Sequence, residues 1–406
     1  MKFPYYMVIA LGLTLSACQK QAPRQVTLVV SNETGHDIAG VIDGVPLQAV
    51  LDSLRVPAGT PLTIKDELGK SVTTQIFDDG TVQLLLFETN TLAHGESIYY
   101  LSIGHDSIQE ATSSAVCIKH YPQRKDDLLW ENESAMWRAY GPELQTSGER
   151  AFGYDIWCKN TKQLIGDTRM LNALANWERA DSLRKLEQPD LLAIADSIGE
   201  STNFHHDHGD GMDCYAVGPT LGGGTAALLN EGQIVFPWAW KKHKILANGP
   251  LLAAVRLDYD TLYVGADTVF EHRTIITQKG TRFNIINVEY EGLTTQHEVA
   301  VGIAYHSSDD SIRFNNANKY MAYADPTDQP ERNPGRVLIG TYVPSMTRTA
   351  LEQGHLLCIG RYQPGETFTY YMGSGWSKGD CPSLSTMEKE LKQMQEPART
   401  VRIVVK

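Results

Sequence analysis

Within nine residues, His205-His206-Asp207-His208-Gly209-Asp210-Gly211-Met212-Asp213, the chain places three imidazoles and three carboxylates. Side chains alternate along an extended segment, so His206 and His208 face one way and His205 and Asp207 the other. Two histidines on one side suit a divalent cation. His206, His208 and Asp210 are therefore the expected ligands of a calcium or zinc ion. The same imidazoles suit proton abstraction at C5 of a uronate, with a metal or an arginine neutralising the carboxylate. The competing reading is a polar loop whose histidines cap turns and bond water.

Three other clusters could meet a sugar. The segment from Trp130 to Tyr140 holds Glu131, Trp137 and Arg138. An indole lies flat on a pyranose and an arginine forks a carboxylate. Trp130 is then a platform, Arg138 a neutraliser, Tyr140 a base and Glu131 a hydrolytic carboxylate. The alternative is that Trp130 and Trp137 are core residues and Arg138 sits in a structural ion pair. In Phe236-Pro-Trp-Ala-Trp-Lys-Lys-His-Lys, strand alternation puts Trp238, Trp240, Lys242 and Lys244 on one face, a strip fit for an anionic glycan. Trp376 and Lys378 follow Gly373 and Gly375 and could form a cleft wall. Leu221-Gly-Gly-Gly-Thr lacks the lysine spacing of a phosphate loop. It reads as a tight backbone approach, to the protein's own core or to a sugar.

These residues need elements to hold them. Residues 26–108 read as a small β-sandwich: short apolar or β-branched runs alternate with turn signals such as Asp43-Gly, Asp79-Gly and His94-Gly. Residues near 104–125 read as a linker. Within 109–406, helices are expected near 162–200. One starts at Pro189 and stops near Gly199. Five strand-like runs beyond residue 230 complete a large antiparallel β-sandwich, so the fold class is mostly β with a few helices.

Four stretches carry a family resemblance: Trp130-Glu-Asn-Glu with Arg138-Ala-Tyr-Gly-Pro, the run from Phe204 to Gly224, Leu246-Ala-Asn-Gly-Pro-Leu, and Tyr370-Tyr-Met-Gly-Ser-Gly-Trp-Ser-Lys. Together they resemble an uncharacterised domain-of-unknown-function family of secreted bacterial proteins associated with polysaccharide utilisation, particularly of pectin-like, uronate-containing glycans. The resemblance implies a setting more than a reaction, and by analogy a sandwich similar to galactose mutarotase.

The N-terminus reads as a lipoprotein signal. Lys2 precedes an apolar run from Met7 to Leu15 that falls short of the about 20 residues a spanning helix needs. Leu15-Ser16-Ala17 then leads to Cys18. Residues 1–17 are the expected signal peptide, Cys18 the lipidated residue and 18–25 a tether. The expected location is the cell envelope, anchored by lipid to the outer membrane, with the periplasmic side favoured over the cell surface. Five cysteines remain after Cys18, an odd number at no metal-motif spacing. A net charge of −12 argues against a nucleic-acid partner. The expected partners are an acidic glycan and, through the lipid, the membrane. The expected function is processing of a uronate-containing polysaccharide or oligosaccharide by β-elimination. Its rivals are hydrolysis by paired carboxylates such as Glu131 and Asp213, and glycan binding without catalysis.

Overall fold

Apolar residues recur at every second position through most of the chain, and in a computed structural model they become strands of antiparallel sheets. The structure describes residues 25–104, 114–306, 311–328, 330–395 and 399–405. The expected signal peptide, Cys18 and nearly all of the expected tether lie outside the described residues. Among the described residues no helix is long and apolar enough to cross a membrane.

The protein is mostly β. An eight-stranded sheet runs from Trp240–Asn248 at one edge to Ile312–Asn315 at the other. A five-stranded sheet, centred on His297–Ala304, faces it. The core between them takes Val255, Ile275, Ile286, Ile339 and Tyr370 from the first and Leu228, Val301 and Cys358 from the second. The N-terminal part has its own core. There a five-stranded and a three-stranded sheet enclose Val26, Leu28, Val45, Leu85, Phe87 and Leu101, with the helix Leu47–Leu54 laid against them. The last strand, Thr400–Val404, pairs with the first, Gln25–Ser31, so the chain's two ends meet in one sheet.

A third five-stranded sheet positions the chemistry. Its order is Gly211–Asp213, Tyr154–Lys159, Ala135–Ala139, Asp127–Glu131, Cys117–Tyr121. The last of these strands lies inside the stretch expected to be a linker. Ile118 is fully buried there and settles the matter through packing, not composition. One face of this sheet sends Leu128, Trp130, Trp137 and Ile156 into the main core. The other carries Leu129, Met136 and Trp157 against the helix Gly166–Arg184, through Met170 and Ala173, and against Phe204; the helix Pro189–Glu200 packs on the first helix. Alternation puts Asp127 and Glu131 on this helix-covered face beside Leu129, Arg138 beside Met136, and Asp155 and Lys159 beside Trp157. Charged residues are thus buried beneath a helical hairpin.

The glycine run approaches the protein's own core. Gly222 has φ +56° and lies against Tyr154, where a Cβ would come within 2.3 Å of the carbonyl oxygen. A side chain there would have no room.

Candidate functional site

The site begins with one guanidinium among three carboxylates. Register places Arg138 opposite Asp155 on one side and Leu129 on the other. Arg138 Nη2 lies 2.5 Å from Asp155 Oδ2 and 3.6 Å from Asp213 Oδ2, so those two carboxyl oxygens are neighbours. Nη1 reaches Asp127 Oδ2 at 3.3 Å. The guanidinium also donates to the Tyr140 hydroxyl at 3.1 Å and stacks near the Trp157 ring. Arg124 sits 4.0 Å from Asp127. Two cations therefore face three carboxyls. Burial, followed by the field of Asp155, pushes the Asp213 carboxyl well above the usual carboxylate range against the pull of Arg138. Burial also raises Asp127 against the pull of Arg138. Three buried atoms here have no protein hydrogen-bond partner: Arg124 Nε, Asp127 Oδ1 and Arg138 Nε.

The cluster reaches solvent at His205. Its Nδ1 lies 2.9 Å from the Asp213 carbonyl oxygen. Half-buried Asp328 is tied to the next residue, with its backbone N–H donating to the Cys214 carbonyl at 3.0 Å. Burial raises the Asp328 carboxyl, His205 lowers it, and Asp155 and Asp325 raise it further. His205 is shared by two grooves. One, of about 510 Å³, is walled by Arg124, Trp177, Arg184, Asn203 and Phe204. The Arg124 guanidinium there stacks 4.9 Å from the Trp177 ring centre. The other, of about 370 Å³, is walled by His206, Asp207, His208, Arg332 and Lys378. Both present cations beside imidazoles, and the first adds aromatic faces.

Some expected residues meet here and others do not. Lys378 joins His206 and His208 in one groove although it is far away in sequence. Its ammonium donates to the Asn333 carbonyl and lies 5.9 Å from the Trp376 ring centre. The expected metal set does not assemble. His206 Nε2 lies 2.8 Å from Glu200, His208 Nε2 donates to the Asn203 carbonyl at 3.1 Å, and Asp210 pairs with Arg169. Among the described residues no three His, Cys, Asp or Glu side chains converge to hold an ion.

The tryptophan platforms are also corrected. Trp130 is fully buried, stacked on Trp137 and hydrogen-bonded to Asn284 Oδ1 at 3.2 Å, so no sugar lies on it. Trp376 is buried with its indole N–H on the Pro334 carbonyl at 2.7 Å. Trp238 and Trp240 do not share a face. A register shift between Trp240 and Lys242 turns Trp240 inward opposite Tyr259, while Lys242 points out opposite Asp258 and Trp238 is exposed. Trp238 stacks on Phe152 and under Arg150 and lines neither groove. Glu131 is buried against Lys159 and a helix start. Arg138 is held by carboxylates, so it is not free to neutralise a uronate. Burial pushes the Tyr140 phenol well up against the pull of Arg138, making it a poor base near neutral pH.

Sequence reasoning missed Arg124, Asp155, Trp177 and Asp328. Asp127, Asp155 and Arg138 sit on alternating strand positions, the one signal that could have found them. Nothing local marks Asp328.

His306 stands near the rim, with Nδ1 2.7 Å from Asp325 Oδ2. That hydrogen bond raises the imidazole above its ordinary 6.5, burial opposes it, and the charges of Asp325 and Asp328 reinforce it. A raised folded-state value stabilises fully below the unfolded value, and the gain is lost as pH rises through the folded one. The unfolding midpoint should therefore fall across that window, and His306→Ala should flatten the change. Equal slopes in urea titrations of the two proteins would contradict this.

Comparisons with known proteins bear on the whole chain. Residues 44–400 match the model of a family described as a domain of unknown function (DUF4861). The chain is 22% identical over 417 residues to "Uncharacterized protein P7" of Formosa agariphila, across 97% of this chain and 96% of that protein. Among solved structures it is similar to an alpha-mannosidase from Enterococcus faecalis V583, with TM-score 0.44 and 8% identity over 94% of this chain and 46% of that one. It is also similar to an Enterococcus faecalis protein in glycosyl hydrolase family 38, with TM-score 0.46 and 10% identity over 94% and 47% of the two chains. The chain spans just under half the length of these two solved chains.

Proposed function

This chain belongs to the DUF4861 family, and on that premise we propose that it is a cell-envelope protein that cleaves a uronate-containing polysaccharide or oligosaccharide. The family description leaves the reaction open, so the reaction is argued from the site. One observation carries it: two carboxyls that burial raises above their ordinary range, Asp213 and Asp328, lie close to His205, the residue shared by the two grooves. A carboxyl raised above its ordinary range suits protonation of a glycosidic oxygen, and a second carboxylate suits activation of water or attack on the sugar. Asp328, the more exposed of the two, is the acid in this reading, and His205 orients or relays its proton. Arg124 over Trp177 supplies a charge and a flat face for an acidic sugar.

Hydrolysis is preferred to β-elimination through Tyr140 and Arg138. Elimination needs a free base and a free cation on the substrate carboxylate. Tyr140 is held protonated and Arg138 is already paired. Export and a lipid on Cys18 complete the proposal, supported by the short apolar run before Leu15-Ser16-Ala17-Cys18.

The test incubates the soluble chain with a panel of pectic and other uronate glycans. It follows both released reducing ends and the ultraviolet absorbance of an unsaturated uronate. Reducing ends without absorbance are expected. Asp328→Asn should lower turnover by about 100-fold or more, in the range of lost acid catalysis. Arg124→Ala should mainly raise KM. Rising absorbance would transfer the reaction to β-elimination. Binding without either signal would make the protein a glycan receptor.

A further inference from the structure

Cys158 and Cys214 bring their sulfurs within 3.8 Å in the buried core, 56 residues apart in sequence. Cys158 lies in the strand Tyr154–Lys159, and Cys214 directly follows the edge strand Gly211–Asp213. Register pairs Cys158 with Met212, so Cys214 is its diagonal neighbour. A disulfide of about 2.05 Å needs the two sulfurs to close the remaining gap. Cys117, Cys358 and Cys381 have no such contact among the described residues, and Cys358 lies 3.7 Å from the Thr341 hydroxyl instead.

We propose that Cys158 and Cys214 form a structural disulfide that staples the edge strand of the site sheet. The edge strand is three residues long and has few ladder bonds to hold it. It carries Asp213, and the histidine loop leads into it. The staple closes the long excursion containing the helical hairpin and that loop, restraining the unfolded chain and fixing Asp213 beside Asp155. The bond forms by exchange with the disulfide of a dithiol oxidase. One cysteine thiolate attacks that disulfide to give a mixed disulfide, the second thiolate attacks the first cysteine's sulfur, and the oxidase leaves as its dithiol. Two protons leave the cysteines and two electrons pass to the oxidase. Burial holds the Cys158 thiol well above its ordinary range, so exchange takes place before the strands close over it.

The test exports the full chain to an oxidising compartment, denatures it without reductant, alkylates it and maps the peptides. The expected result is one cross-linked peptide pair joining Cys158 to Cys214, with Cys117, Cys358 and Cys381 alkylated. Reductant should lower the unfolding midpoint of this protein and leave that of Cys158→Ala/Cys214→Ala unchanged. Alkylation of both residues without reductant overturns the proposal, as does a cross-link from either to another cysteine. A wild-type midpoint indifferent to reductant, with the cross-link present, overturns the stapling role.

Discussion

Arg138→Ala is expected to destabilise the fold by about 3–5 kcal/mol, the usual cost of removing one partner from a buried ion pair. Arg138 is 5% exposed and touches Asp127, Asp155 and Asp213. Alanine leaves three buried carboxyls facing one another with only Arg124 nearby. Arg138→Lys retains the charge, but one ammonium lacks the planar fork that reaches Asp127 and Asp155 from separate nitrogens, so it should recover only part of the loss. The pH dependence separates this cause from lost packing. Without the guanidinium the folded-state values of Asp127 and Asp213, already raised by burial, rise further above their unfolded values. A raised carboxyl stabilises at low pH and loses that gain as pH rises through the folded value. The alanine variant should thus approach wild type as pH falls toward the carboxylate range. Urea midpoints across pH test this. A variant within about 1 kcal/mol of wild type at neutral pH, as exposed pairs behave, would show that the cluster does not depend on Arg138.

That dependence explains how much the sequence revealed. Asp79-Gly80 announces the hairpin between Thr74–Asp78 and Gln83–Thr91 because its backbone demands are local, whereas Asp43-Gly44 carries the same signal and lies inside the strand Ile38–Pro46, opposite Phe87 and Leu86. The helix at Pro189–Glu200 is legible for the same reason: proline opens it and Gly199 falls at its end. Trp130 is different. An indole beside charged residues reads equally as a sugar platform or a core plug, and only the distant strands that cover it decide. The pairing of Arg138 with Asp155 crosses 17 residues and a hairpin, so neither residue looks unusual alone. The bulge after Trp240 reverses a face through one extra residue, which alternation cannot foresee. The histidine loop was legible as a chemical concentration. Its partners Arg332 and Lys378 come from turns whose return to it depends on the whole sandwich.

Glu131 shows the same limit and yields the second large effect. The helix Gly166–Arg184 has no side-chain cap from its own preceding residue. Glu131 supplies one from across the sheet, accepting from the Ile165 and Gly166 backbone N–H groups at 2.8 Å each. The same carboxylate lies 2.6 Å from the buried Lys159 ammonium, which also donates to the Asn132 carbonyl at 2.7 Å. A negative charge at a helix start is favoured by the helix dipole. Gly166 lets the two approach, because a Cβ there would meet Met136 Sδ at 2.6 Å and Glu131 Oε2 at 2.8 Å. Glu131→Ala removes the cap and strands a buried cation, so the expected loss is about 3–5 kcal/mol. Glu131→Gln keeps an acceptor for the helix but loses the charge, and should fall between. Chemical denaturation measures the loss, and amide exchange should show the first turn of the helix opening before the sheet. A hydrolytic carboxylate behaves in the opposite way: its removal abolishes turnover and leaves the unfolding midpoint alone. If Glu131→Ala proved as stable as wild type yet inactive, Glu131 would belong to the chemistry after all, and the acid assigned to Asp328 would need a partner on the other side of Arg138.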